Sequence, residues 1–109
     1  MVSMMRGMGD LQKMMKQAQK MQESMAKVQA ELADKFVEGS AGGGAVTVVV
    51  SGTQDIRSIK IRPEAVDPED IETLEDLVLA AVRDGLQKSS EMAKGELNAI
   101  TGGMNIPGL

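Results

Sequence analysis

Lys13, Lys16, Lys20 and Lys27 are the residues whose type and spacing could do chemistry in this 109-residue sequence. Projected at 100° per residue, the four fall within about 60° of one another, so a helix would carry them as one cationic stripe. Ammonium groups aligned in this way can neutralise a row of phosphates without touching a base. Arg6 precedes the stripe, and Lys94 is a supporting cation from the far end of the chain. A plain solvated face is the ordinary alternative for such a helix. Gln12, Gln17, Gln19 and Gln22 stand among the lysines. Glutamine can read base edges, but it is also a good helix former.

Catalysis has little to work with. The chain has no histidine and no cysteine, which removes the commonest general base, the commonest metal ligand and any disulfide framework. An enzyme would have to use Asp, Glu, Lys, Ser and Thr, and no constellation of them stands out. Glu69, Asp70, Glu72, Glu75 and Asp76 cluster, but without the alternating ligands and central glycine of a calcium loop. They fit better as complements to a helix N-terminus. "GSAGGG" at 39–44 has no Lys-Ser/Thr pair behind it, so it reads as a hairpin connection rather than a phosphate cradle. The expectation is no enzyme, no metal, no cofactor and no small-molecule substrate. Phe36 is the only aromatic residue, which argues against base stacking of the kind single-strand and RNA readers use.

Net charge is −4, which taken alone disfavours a polyanion partner, but the charges are segregated. Residues 1–30 carry a local +3, residues 31–84 a local −7, and residues 85–109 balance. A basic arm on an acidic body is the reading. No apolar run approaches the roughly 18 residues of a membrane span, and the start lacks the apolar centre of a signal peptide. The absence of cysteine fits a reducing cytoplasm.

The stripe needs a helix to hold it. Leu11, Met14, Ala18, Met21, Met25, Val28 and Leu32 alternate spacings of three and four. That is a heptad seam, expected to pack against another helix or a second chain. The seam lies well away from the lysines. A first helix is expected at about 10–35. Strands are expected at about 36–38, 45–51 and 56–62, the second placing Val46, Val48 and Val50 on one face, the third Ile59 and Ile61. Pro63 stops the third strand. Asp67 as N-cap and Pro68 as first residue open a second helix, about 68–101. Gly102 and Gly103 end it, leaving a short tail at 102–109. Gly85 inside this helix costs about 1 kcal/mol relative to Ala, which close approach of another helix would explain.

The expected fold is α+β, in the order α-β-β-β-α, with a three-stranded antiparallel sheet and two long helices in one domain, 1–109. A six-residue strand spans about 20 Å and each helix about twice that, so the helices must overhang the sheet. An overhanging apolar seam is most simply covered in a two-fold homodimer with protruding helical arms.

"MKQAQKMQ" (Met15–Gln22), "IRPEAVDPEDIETLEDLVLAAVRDGL" (Ile61–Leu86) and the tail "GGMNIPGL" closely resemble the bacterial YbaB/EbfC nucleoid-associated protein family. The resemblance runs in order over nearly the whole chain, most specifically at Leu74–Ala81. It implies an α-β-β-β-α dimer with tweezer-like helical arms that bind duplex DNA. Lys16 and Lys20 fall inside the matching motif; Lys13 and Lys27 are carried over by face. Arg62 stands where the family tends to have an acid, so Lys60 and Arg62 form a rival basic surface.

The expected function is therefore that of a nucleoid-associated protein. It would bind duplex DNA with little sequence preference, in the cytoplasm and nucleoid, and bear on gene expression and nucleoid organisation. The alternative is a chaperone-like or scaffold protein holding peptides on Met-rich arms, since Met4, Met5, Met8, Met14 and Met15 exceed what one seam needs. A membrane-surface helix is a further reading of a basic amphipathic segment, but no membrane partner is expected.

Overall fold

The computed structural model describes the backbone of residues 2–100 and the side chains of residues 9–100. The Arg6 side chain, the helix stop expected at Gly102 and Gly103, and the tail 102–109 lie outside the described residues. The order is α1 (Val2–Ala33), β1 (Phe36–Ala41), β2 (Val46–Ser51), β3 (Ile56–Ile61), a 3-10 turn (Pro63–Ala65) and α2 (Ile71–Ile100). The strands form one antiparallel meander in the order β1-β2-β3, as the sequence pattern implies.

Several boundaries differ from the expected ones. α1 begins at Val2, well before Asp10, because the Met-rich start is made mostly of helix-compatible residues and needs no cap at Asp10. It ends at Ala33, two residues early. There the Leu32 carbonyl accepts hydrogen bonds from Lys35 N at 3.2 Å and Gly52 N at 2.9 Å, so the helix end is tied to the β2–β3 turn.

β1 continues to Ala41 instead of stopping near Glu38. Gly39 is a strand residue, chosen for close approach. A Cβ there would lie 2.2 Å from Gly85 N and 2.4 Å from the Ala81 carbonyl oxygen. The neighbour that Gly85 makes room for is thus a strand of its own chain, not the helix expected. The reversal falls to Gly42, Gly43 and Gly44, all at positive φ, where glycine is unstrained.

α2 starts at Ile71, not Pro68. Asp67 instead organises a turn, its Oδ1 accepting Glu69 N at 3.0 Å and its carbonyl accepting Asp70 N at 2.9 Å. Asp70 is the cap, accepting Thr73 N on Oδ1 at 3.3 Å and Thr73 Oγ1 on Oδ2 at 2.6 Å. Both aspartates satisfy orphan donors, and the one nearer the apolar stripe takes the helix end.

The core is small. Val46, Val48, Val50 and Ala81 are fully buried, with Val37, Leu74, Leu77, Val78, Val82 and Leu86 packed around them. Ser51 and Gly52 form the corner where both helices meet the sheet. Buried Ser89 donates its Oγ hydrogen to the Ser51 carbonyl at 2.6 Å, and Leu32 packs on Gly52. Beyond this corner α2 runs antiparallel to α1. Lys35 pairs with Glu96, and Ile100 meets the groove of Gln17, Lys20, Met21 and Ser24. The rest of α1 extends past the described end of α2, and the molecule is 82 Å long.

Candidate nucleic-acid interface

The arm is α1, and its 32 residues span about 48 Å at 1.5 Å per residue. Lys13, Lys16, Lys20 and Lys27 are all exposed on it. None makes an ion pair or a side-chain hydrogen bond among the described residues. Three cations of the body are occupied. Lys35 is held by Glu96. Lys88 donates to Asp84 at 3.0 Å and to the Glu38 carbonyl at 3.2 Å. Arg57 pairs with Asp55 at 3.1 Å and lies 5.7 Å above the centre of the Phe36 ring. The local structure thus commits Lys35, Arg57 and Lys88 to holding the fold and leaves the arm's lysines to solvent.

From Lys13 to Lys27 the stripe runs about 21 Å, or roughly six phosphate steps along one strand at 3.4 Å each. Its far end is less basic, because Glu23 and Glu31 sit one turn either side of Lys27. Lys20 lines a groove with Ile100 of α2, and Lys13 and Lys16 lie beyond it. Lys94 is exposed on α2, two residues before Glu96 of the Lys35 pair and so on the body side of it. The rival cations Lys60 and Arg62 are also exposed and have no ion-pair partner among the described residues. They sit on the acidic body.

The ion pairs shift two titrations. The hydrogen bond to Glu96 holds the Lys35 ammonium above its ordinary 10.5. The Lys88 ammonium, with help from the Ser40 N–H, holds the Asp84 carboxyl below its ordinary 3.8. Both are clamps rather than reactive groups. Among the described residues no group of three or more His, Cys, Asp or Glu side chains gathers as for a metal. No described helix is long and apolar enough to cross a membrane.

The heptad seam divides in two. Val28 and Leu32 are buried, Leu32 at 1% exposure, so this third is filled by the chain's own body. Leu11, Met14, Ala18, Met21 and Met25 stay exposed, Met14 at 65%. Sequence reading did not anticipate a second apolar surface, between β3 and α2, where Ile61, Leu74, Val78, Leu79 and Val82 line an open groove.

Residues 8–104 match the model of the YbaB/EbfC DNA-binding family. A nucleoid-associated protein of Alkaliphilus metalliredigens is 55% identical over 96% of this chain and 92% of its own. One from Acetivibrio thermocellus is 57% identical over 93% and 90%, and one from Syntrophobacter fumaroxidans 58% identical over 87% and 86%. Among solved structures, an uncharacterized protein from Helicobacter pylori shares the fold, with a TM-score of 0.72 at 19% identity over 81% of this chain and 92% of that one.

Proposed function

The chain belongs to the YbaB/EbfC DNA-binding family, and from that premise we propose that it is a nucleoid-associated protein whose homodimer grips duplex DNA along the α1 arms. The observation that carries this reading is the set of exposed lysines, without ion-pair partners among the described residues, on one face of an arm that stands clear of the acidic body. Each lysine can neutralise one phosphate and release its counterion, and a dimer doubles the number. Lys13, Lys16, Lys20 and Lys27 are the contacts, with Arg6 and Lys94 in support. Nothing on the arm favours one sequence strongly, since it has no aromatic side chain, and its glutamines, which can read base edges, are also ordinary helix formers. Binding would therefore be broad, located in the nucleoid, and felt as changes in DNA organisation and gene expression.

The test is a duplex-DNA shift assay at several salt concentrations with a random duplex as competitor. Binding that weakens steeply with salt and is competed by the random duplex supports the reading. A second reading has its own observation: Met14, Met15, Met21 and Met25 are exposed on the same arm, as on a surface that holds apolar peptide. The same assay discriminates, because apolar contact is not screened and would survive high salt.

A further inference from the structure

The seam of α1 is covered only where the rest of the chain lies beside it. Leu32 packs on Gly52 at the corner where Ser89 also meets the sheet, and Val28 is buried with it. From that corner the two helices run equal lengths. Met21 lies about 17 Å before Leu32 along α1, and Ile100 about 17 Å after Ser89 along α2. The two come together there, Ile100 lining one groove with Met21 and Ser24, and Met21 is 36% exposed. Past this point cover is lost. Met14 stands at 65% exposure and Leu11 at 57%, and Ala18 is exposed as well. The uncovered stretch therefore begins where the described part of α2 stops.

We propose that residues 101–109 of the same chain seat on this stretch, running from Ile100 toward Leu11. The segment TGGMNIPGL suits the place in three ways. It starts there, since Thr101 follows Ile100 and α2, antiparallel to α1, already points toward the start of α1. It has the reach. Nine residues extend to about 30 Å at most, whereas Met21 to Leu11 is about 15 Å of helix. The excess leaves room for a bend, which Gly102 and Gly103 permit, and Pro107 keeps the segment from continuing as helix. It also has the chemistry. Met104, Ile106 and Leu109 are apolar, and the segment holds no charged side chain, so it brings no ion into an apolar contact. Being tethered, it meets the seam at the millimolar effective concentration of a short linker, which an outside peptide would have to exceed. Its seat bears on function. The lysine stripe points away from the seam, so the seated segment leaves that face to phosphates while it competes with foreign peptide for the methionines.

The test uses the full chain with two introduced cysteines, since the native sequence has none. Met14→Cys with Ile106→Cys, oxidised with diamide, should close a disulfide within one chain. The product keeps the monomer mass on a non-reducing denaturing gel and has no thiol left to label. Lys16→Cys with Ile106→Cys has a similar reach but lies about 160° round the helix from Met14. It should close at least about tenfold more slowly. Adding Met104→Asp and Leu109→Asp to the first pair should slow it by about tenfold too, since a seated carboxylate would be desolvated, while circular dichroism shows the helices kept. Equal rates for the two cysteine pairs, or a rate untouched by the aspartates, would overturn the inference. So would a product of twice the chain mass in place of the intrachain one, which would give the seam to a second copy. No DNA is present in this assay, so the seated segment and DNA binding by the arm can each fail alone.

Discussion

The decisive perturbation is the simultaneous change of Lys13, Lys16 and Lys20 to Ala. All three are exposed and lack partners among the described residues, so nothing in the fold depends on them. Alanine is the best helix former, so the arm itself should not weaken. Lys27 is left in place because Glu23 and Glu31 already compete for it. If each lysine meets one phosphate, a dimer loses six contacts, and at about 0.9 per contact the log–log salt slope becomes shallower by about 5. Over a fourfold rise in salt the native protein should then lose about 10³-fold more affinity than the variant. Fluorescence anisotropy on a labelled random duplex reads both slopes directly. The control is Lys60→Ala with Arg62→Ala, which should alter the slope little. A triple variant that keeps the native slope refutes the arm as the site. A sheet variant that loses the slope instead moves the site to the outer margin of β3.

The remaining expectations concern specificity and stability. Affinities for unrelated duplexes should differ by less than about tenfold, or 1.4 kcal/mol, and one site preferred by roughly 10³-fold in competition titrations would contradict broad binding. Ser89→Ala should cost about 1 kcal/mol in urea unfolding. It removes a buried hydrogen bond while the Ser51 carbonyl keeps Gln54 N at 3.0 Å. Gly39→Ala should cost about 3 kcal/mol, the upper end of overpacking, because the clashing atoms are α2 backbone and cannot rotate away; a loss under about 1 kcal/mol would mean α2 can shift cheaply. The depressed Asp84 carboxyl contributes stability above pH 3.8 that is lost as pH falls through its lower folded value, while the raised Lys35 contributes below pH 10.5 and fades above it. Asp84→Asn should flatten the acid side of a pH–stability curve, and an unchanged acid limb would deny the clamp a role.

Where local pattern decides structure, the chain could be read directly. The alternating Val46, Val48 and Val50 make a buried strand because period two leaves no other face for them. The run of threes and fours from Leu11 to Leu32 makes a helix for the same kind of reason. Capping was less legible, since Asp67 and Asp70 are chemically equal candidates and only the apolar period of α2 favours the later one. Gly39 was misleading. A glycine beside "GGG" reads as part of a turn, and only the position of α2, fixed more than forty residues on, reveals it as a contact between strand and helix. The seam posed a similar difficulty. Its spacing announces packing but names no partner, and Val28 and Leu32 are covered by the body while Met14 is not.

The lysine stripe was legible as a face, but not its freedom from partners, which depends on where the acids go. The acids settle that through distance. Those of residues 31–84 lie on the body or at its junction with the arm. Lys13 stands about 30 Å of helix before Ala33 and Lys20 about 20 Å, at 1.5 Å per residue. The Debye length at physiological salt is about 8 Å. Phosphates held on the outer arm are therefore more than two screening lengths from the body's −7, and the net charge of −4 says little about whether DNA can approach. Lys60 and Arg62 have no such separation, being on β3 and next to it, with Glu64 following and the acidic flank of α2 nearby. A short chain with an acidic body needs a long helix to hold its cations at a distance, and α1, at 32 residues, has the length to do so.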